Sequence, residues 1–145
     1  MTIEIRVLEQ GDAAVLDRVA PDVFDNPIDR GLTAEFLADP RHHLAVALEN
    51  GTVVGFASGV HYIHPDKPAE LWVNELGVAS THRGQGIGKA VLGALLGVGR
   101  ALGCVEAWVL TDQGNSAAMA VYRALGGVEA SSLSTMLSFP LAPRS

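Results

Sequence analysis

Arg83-Gly84-Gln85-Gly86-Ile87-Gly88-Lys89 is the segment of this 145-residue sequence whose residue types and spacing point most directly to chemistry. It follows a strand-like run, Glu75-Leu76-Gly77-Val78, and opens a stretch with helical apolar periodicity. Helix N-termini carry unpaired N–H groups and the positive end of the helix dipole. Glycines let that backbone wrap closely around an anion. A pyrophosphate is the natural occupant, and Arg83 can add a charge-assisted contact. Two other phosphate loops do not fit. A Walker A loop needs glycine where Arg83 stands and Ser or Thr where Ala90 stands. A Rossmann G-x-G-x-x-G fails because its last glycine would fall on Lys89 or Val91.

The remaining reactive side chains give weaker signals. Of the five histidines, His42 and His43 are adjacent and His61 and His64 are three apart. No cysteine or carboxylate completes a familiar zinc spacing with them, so no metal is expected. His61 and His64 lie near the entry to the Glu75 strand and suit surface or substrate-binding roles. The single cysteine, Cys104, rules out an intrachain disulfide. With no activating base in a local motif it reads as an inert thiol. Asp25, Asp29, Glu35 and Asp39 crowd an irregular stretch, where they can form a solvated loop or line a site for a cationic molecule.

The elements that position the glycine-rich segment follow from periodicity. Thr2–Val7 alternates as a first strand, and Asp12–Ala20 reads as a short helix with Asp12 as its cap. Thr33–Ala38 can form another short helix. His43–Glu49 and Thr52–His61 flank Asn50-Gly51, the signal of a type I′ hairpin turn. His64–Pro68 reads as a loop and Glu70–Val78 as a strand. Gly86–Leu102 is a helix with Ile87, Val91, Leu95, Val98 and Leu102 on one face. Gly93 and Gly97 lie one turn apart and suggest close packing against a sheet. Val105–Leu110 is a strand holding Trp108, and Trp72 sits in the strand before the glycine-rich loop; core packing is expected for both. Asn115–Leu125 is a helix ended by Gly126-Gly127, and Ser132–Phe139 can form a last strand. The order implies one α/β domain over residues 1–145 with a central mixed sheet flanked by helices.

Arg83-x-x-Gly86-x-Gly88 after a strand resembles the R/Q-x-x-G-x-G/A signature of GCN5-related N-acetyltransferases (GNAT). Asn115-x-x-Ala118-x-x-x-Tyr122 followed by Leu125-Gly126 is similar to the late helix of that superfamily. The hairpin Val53-Val54-Gly55-Phe56-Ala57 resembles its strand pair ahead of the signature. The resemblance runs from about His43 to the end of the chain and implies the acyl-CoA N-acyltransferase fold. Within the superfamily these segments look most similar to aminoglycoside 3-N-acetyltransferases, which carry aspartate where this chain has Glu75.

The resemblance implies acetyl-coenzyme A as co-substrate. Its pantetheine arm would bond the backbone of Leu76, Gly77 and Val78. Its pyrophosphate would lie on Arg83, Gly84, Gln85, Gly86, Ile87, Gly88 and Lys89, and Asn115 would touch the arm. Attack of a neutral amine on a thioester needs a base, an oxyanion donor and an acid. Glu75 is the candidate base, a backbone N–H near Val78 the oxyanion donor, and Tyr122 the candidate acid. Each has a plain structural alternative. Glu75 can be an exposed strand carboxylate or an anchor for a substrate cation. Tyr122 can be a core tyrosine, Asn115 a helix cap, and Arg83 and Lys89 solvated side chains.

Composition narrows the partners. The net charge of -6 argues against nucleic-acid binding, which needs phosphate-neutralising patches. It also disfavours a tRNA-acetylating toxin and is compatible with a cationic amine substrate. No apolar run reaches the roughly 20 residues that span a bilayer, so no membrane role is expected. The start, Met1 to Val7, lacks a signal-peptide core, and the expected location is the cytoplasm. The function expected is N-acetylation of a small-molecule primary amine such as an aminoglycoside or polyamine-like compound. The alternatives are a protein or peptide amine acetyltransferase and a non-catalytic acetyl-coenzyme A-binding module. A homodimer joined through Ser132–Phe139 is expected by family analogy.

Overall fold

The computed structural model describes residues 2–143; Met1 and residues 144–145, the ends of the expected 1–145 domain, lie outside the described residues. Strand β1 (Glu4–Val7) pairs antiparallel with β2 (His42–Glu49), β2 with β3 (Thr52–His64), and β3 with β4 (Lys67–Val78). Strand β5 (Glu106–Val109) runs parallel to β4, which makes a mixed five-stranded sheet in the order β1-β2-β3-β4-β5. Helices α1 (Arg30–Ala38), α2 (Ile87–Ala101) and α3 (Ser116–Ala124) complete the described elements of eight residues or more beside the strands.

The β2–β3 turn is the expected one. Asn50 and Gly51 both take positive φ, 49° and 77°, as a type I′ turn demands. The expected loop over His64–Pro68 is instead a second tight turn, with His64 paired to Lys67. Pro68 lacks an N–H and cannot complete a regular ladder. A register shift between Tyr62 and His64 accommodates it there.

Successive residues of a strand face opposite sides of its sheet. On β3, Gly55 and Gly59 face α2: a Cβ on Gly55 would lie 2.6 Å from Ile87 Cγ2, and one on Gly59 would lie 3.4 Å from Leu95 Cδ2. Ala57 lies between them in the same alternation. The small residues that let α2 approach come from both partners: Gly55 and Gly59 from the sheet, and Gly99 from α2, where a Cβ would lie 3.1 Å from Leu71 Cδ2. Gly93 and Gly97, expected to serve that purpose, have nothing within 4 Å of a Cβ position. Ile87, Val91 and Leu95 are buried in the core, whereas Leu102 is exposed beyond the end of α2. The expected stripe thus holds for its first three members and fails at the last.

Three further elements differ from expectation. Asp12–Ala20 holds only a 3-10 turn over Ala13–Asp17, and Asp12 accepts a bond from the Glu9 N–H instead of capping it. Trp72 and Trp108 stack on each other, centroids 5.2 Å apart and planes 6° apart, and Trp72 is 39% exposed. They form a surface pair on neighbouring strands rather than core residues. Ser132–Phe139 is not a strand: it is irregular and exposed. A strand needs a partner for its backbone groups, and β5 remains the sheet edge.

Candidate functional site

The site forms where β4 and β5 part. Strand β5 pairs with Glu70–Val73 only, while β3 stays paired with β4 as far as Val78. The β5-facing edge of Asn74–Val78 is therefore open, with backbone groups available to an extended ligand. A bulge contributes to the geometry. Ser58 opposes Glu75 and Gly59 opposes Val73, so Asn74 is the extra residue. Bulges re-aim the side chains beside them, and here the neighbour is Glu75.

Past the end of β4 the chain makes a 3-10 turn, Ser80–His82, and enters α2 through Gly84 and Gly86, both left-handed at φ 78° and 79°. Nothing lies within 4 Å of a Cβ at either. Glycine is therefore required by conformation and not by crowding. Among the described residues, the backbone N–H groups of Arg83, Gly84, Gln85 and Gly86 donate no hydrogen bond to protein. Those of Ile87, Gly88 and Lys89 open the helix and have no acceptor within it. The first turn of α2 holds no acidic side chain. This is an anion cradle.

A groove of about 650 Å³ joins the open β4 edge to this cradle. Leu76, Gly77, Val78, Arg83, Gly84, Gly86, Ile87, Gly88, Lys89 and Asn115 all line it. Gln85, the other expected cofactor residue, does not; it is exposed at the loop tip. Asn115 caps α3, its Oδ1 accepting the Ala118 N–H at 3.1 Å, and it borders the groove. An open strand edge for amide groups, followed by free N–H groups at a helix start, fits the pantetheine arm and pyrophosphate of coenzyme A.

A second cavity, of about 290 Å³, is walled in part by Phe24 and Phe56. Phe24 stacks on Phe56 with centroids 4.0 Å apart. Its walls are mostly apolar, from Leu16, Leu32, Phe36, Leu44 and Phe56, with the polar groups of Ser58, Asp25, Asp29 and Glu75 set among them. Between cavity and groove lies a recess lined by Val23, Asp25, Phe56, Asn74, Glu75 and Leu76. Glu75 thus faces the cavity while the next residue, Leu76, faces the groove. The dividing wall depends on Gly77, since any Cβ there would collide with the Val23 carbonyl and lie 2.7 Å from Phe56 Cε1. A further cavity of about 560 Å³ lies along the Leu16–Arg30 segment and shares Asp25 with both the second cavity and the groove.

Tyr122 is placed differently from the other expected residues. It is half-buried, its neighbour Val121 lines the groove, and it does not. Its hydroxyl bonds no described residue, and burial raises its pKa. Asp22 and Asp25 border the groove without having been expected there. Asp22 takes φ 59° and accepts the Ser80 N–H at 3.0 Å. Bonding to Ser80, with a smaller contribution from the charge of Arg83, lowers its pKa. Nothing in the local sequence signals that long-range contact. Among the described residues, no group of three or more His, Cys, Asp or Glu could hold a metal ion.

The family described as Acetyltransferase (GNAT) matches residues 13–126. The N-alpha-acetyltransferase RimI of Mycobacterium tuberculosis is 34% identical over 126 residues, covering 86% of this chain and 77% of that protein. The fold is similar to an aminoglycoside acetyltransferase from an uncultured soil metagenomic sample, with a TM-score of 0.80 and 22% identity over 98% of this chain and 100% of the other. It is also similar to an aminoglycoside acetyltransferase in complex with a bisubstrate analogue of coenzyme A and acetylneamine, with a TM-score of 0.77 and 19% identity over 97% of this chain and 100% of the other.

Proposed function

The chain belongs to the GNAT acetyltransferase family, and from that premise we propose that it acetylates a primary amine of a small cationic molecule by direct attack within a ternary complex. The observation that carries this reading is the meeting of the groove and the acidic-rimmed cavity at Glu75–Leu76, with Asp25 in both walls. The family uses acetyl-coenzyme A, which supplies the thioester carbonyl. Leu76, Gly77 and Val78 would hold the pantetheine arm by their open edge. The N–H groups of residues 83–89 would hold the pyrophosphate.

In this reading the cavity takes the acceptor. Its carboxylates draw in an ammonium group and its apolar walls exclude water. Glu75 takes a proton from the ammonium, and the freed lone pair forms the N–C bond as the C–S bond breaks. A backbone N–H near Val78 donates to the carbonyl oxygen as charge builds there. Tyr122 is the proposed acid for the leaving sulfur, and the second proton that the nitrogen sheds on becoming an amide restores its phenol.

The test is an acceptor panel at fixed acetyl-coenzyme A, read by thiol release. Aminoglycosides and polyamines are expected to show kcat/KM at least about tenfold above peptides with free N-termini, one tenfold step being about 1.4 kcal/mol of transition-state binding. The reverse order would overturn the small-molecule reading. It would instead support a second one, acetylation of a protein N-terminus, which the similarity to RimI favours.

We also propose a homodimer. Val128, Leu133, Met136, Leu137, Phe139 and Leu141 are all exposed after α3, and among the described residues none pairs with the outer edge of β5. Such edges are templates for pairing with another chain. Light scattering is expected to give twice the 15.2 kDa chain mass, and truncation after Gly127 is expected to give the monomer. A monomeric full-length chain would remove the proposal.

A further inference from the structure

The anion cradle has a mechanical problem. Its N–H groups must stay free for phosphate, so the loop cannot be held by its own backbone bonds, and two of its glycines are left-handed. Its shape has to be imposed from outside. Backbone bonds hold its approach, the Ala79 N–H donating to the Val54 carbonyl and the His82 N–H to the Ala79 carbonyl, and among the described residues side chains from distant parts of the chain add two further anchors.

One is Glu49, the last residue of β2. Its Oε2 lies 3.1 Å from His82 Nε2, across 33 residues of sequence. A carboxylate acceptor requires the hydrogen on Nε2. The other ring nitrogen, Nδ1, is 2.8 Å from Thr81 Oγ1. Both nitrogens are thus engaged and the ring is fixed. The pair is shielded, with the two side chains only 16% and 25% exposed, unlike exposed ion pairs of little energetic value. His82 immediately precedes Arg83 and borders the groove. The second anchor is Asp22, bonded to the Ser80 N–H.

We propose that Glu49 and His82, with Asp22, clamp the entry of the phosphate-binding loop, so that Glu49 and His82 are positioning residues for acetyl-coenzyme A. Glu49 stands on the far side of His82 and borders neither the groove nor the acceptor cavity. It therefore acts through His82 alone. The inference rests on the assignment of the groove to acetyl-coenzyme A.

The test measures acetyl-coenzyme A affinity by calorimetry, with kcat and both KM values, for wild type, Glu49→Ala, Glu49→Gln, His82→Ala and the double alanine variant. Wild type is titrated first. Absence of binding there would overturn the groove assignment and the clamp together, whereas normal wild-type binding isolates the clamp. Glu49→Ala is expected to raise Kd and KM for acetyl-coenzyme A about tenfold, the scale of one charge-assisted bond. The acceptor KM and the kcat at saturating cofactor stay within about twofold. Glu49→Gln, which can still accept from Nε2, is expected to recover most of the affinity. The double variant is expected to be no worse than either single one, because the two residues act as a unit. Wild-type affinity in folded Glu49→Ala would overturn the clamp. So would equal losses in the alanine and glutamine variants, or additive losses in the double variant. Should Glu49→Ala fail to fold, Glu49→Gln and His82→Ala decide: retained affinity in the first with a tenfold loss in the second supports the clamp, and any other pattern overturns it.

Discussion

Replacing Gly86 with glutamate is expected to weaken acetyl-coenzyme A binding at least about 100-fold, or about 2.8 kcal/mol, while the chain stays folded. Two effects act together. Gly86 sits at φ 79°, where an L side chain costs about 1–2 kcal/mol. The new carboxylate also meets the phosphate at the helix start. Like charges about 4 Å apart at a protein surface repel by about 4 kcal/mol before salt screening. The fold is spared because nothing lies within 4 Å of a Cβ at Gly86, so the substitution overpacks no neighbour. Calorimetry with acetyl-coenzyme A, beside a thermal melt, checks both halves. A folded variant with wild-type affinity would move the phosphate site away from this loop.

Glu75→Gln is expected to lower kcat/KM by about 100- to 10,000-fold, the usual contribution of a positioned general base. Affinity for acetyl-coenzyme A is expected to stay unchanged, since Glu75 faces the acceptor cavity and does not border the groove. The division of the loss identifies the role. A fall in kcat assigns Glu75 as the base, whereas a raised acceptor KM with kcat intact assigns it as an anchor for the ammonium group. Tyr122→Phe is the companion measurement. It removes the hydroxyl and keeps the half-buried ring, so wild-type kcat in that variant would leave Tyr122 as a packing residue only.

The cofactor half of the site was legible in sequence because it is local. A strand, a glycine-rich turn and a helix start are consecutive, and each has its own residue signature. Nine contiguous or near-contiguous positions from Leu76 to Lys89 line the groove as expected. The Gln85 side chain stands outside the groove lining, because periodicity does not say which side of a left-handed turn a side chain takes, while its N–H belongs to the loop. The acceptor half was only partly legible. Asp25 and Asp29 stood out as carboxylates in an irregular stretch, but their meeting with Ser58 and Glu75 in one cavity depends on that stretch packing on the sheet, where Phe24 stacks on Phe56.

Some errors share one cause. Gly93 and Gly97 carried a packing signal that belonged to Gly55 and Gly59 on the sheet and to Gly99 on the same helix, because a close approach can be made by small residues on either partner. Trp72 and Trp108 were assigned to the core by residue type, yet they lie opposite one another on β4 and β5 with their stacked faces at the surface. Ser132–Phe139 has strand-like composition and no partner to pair with. In each case the residue type was read correctly, and the missing information was which surface stood opposite.

By itself the sequence determined the mixed strand–helix order, the Asn50-Gly51 turn, and the glycine-rich entry into α2 from Arg83 to Lys89, because those depend on backbone propensity and neighbouring residues. Only the tertiary structure decided what lies across space: the parting of β4 from β5 after Val73, the Asn74 bulge that sets Glu75, the wall at Gly77, and the bonds from Asp22 and Glu49 to the loop entry. The physical reason is range. Periodicity and turn chemistry act over a few residues, whereas the partners that complete this site are separated by tens of residues and meet only when the sheet has formed.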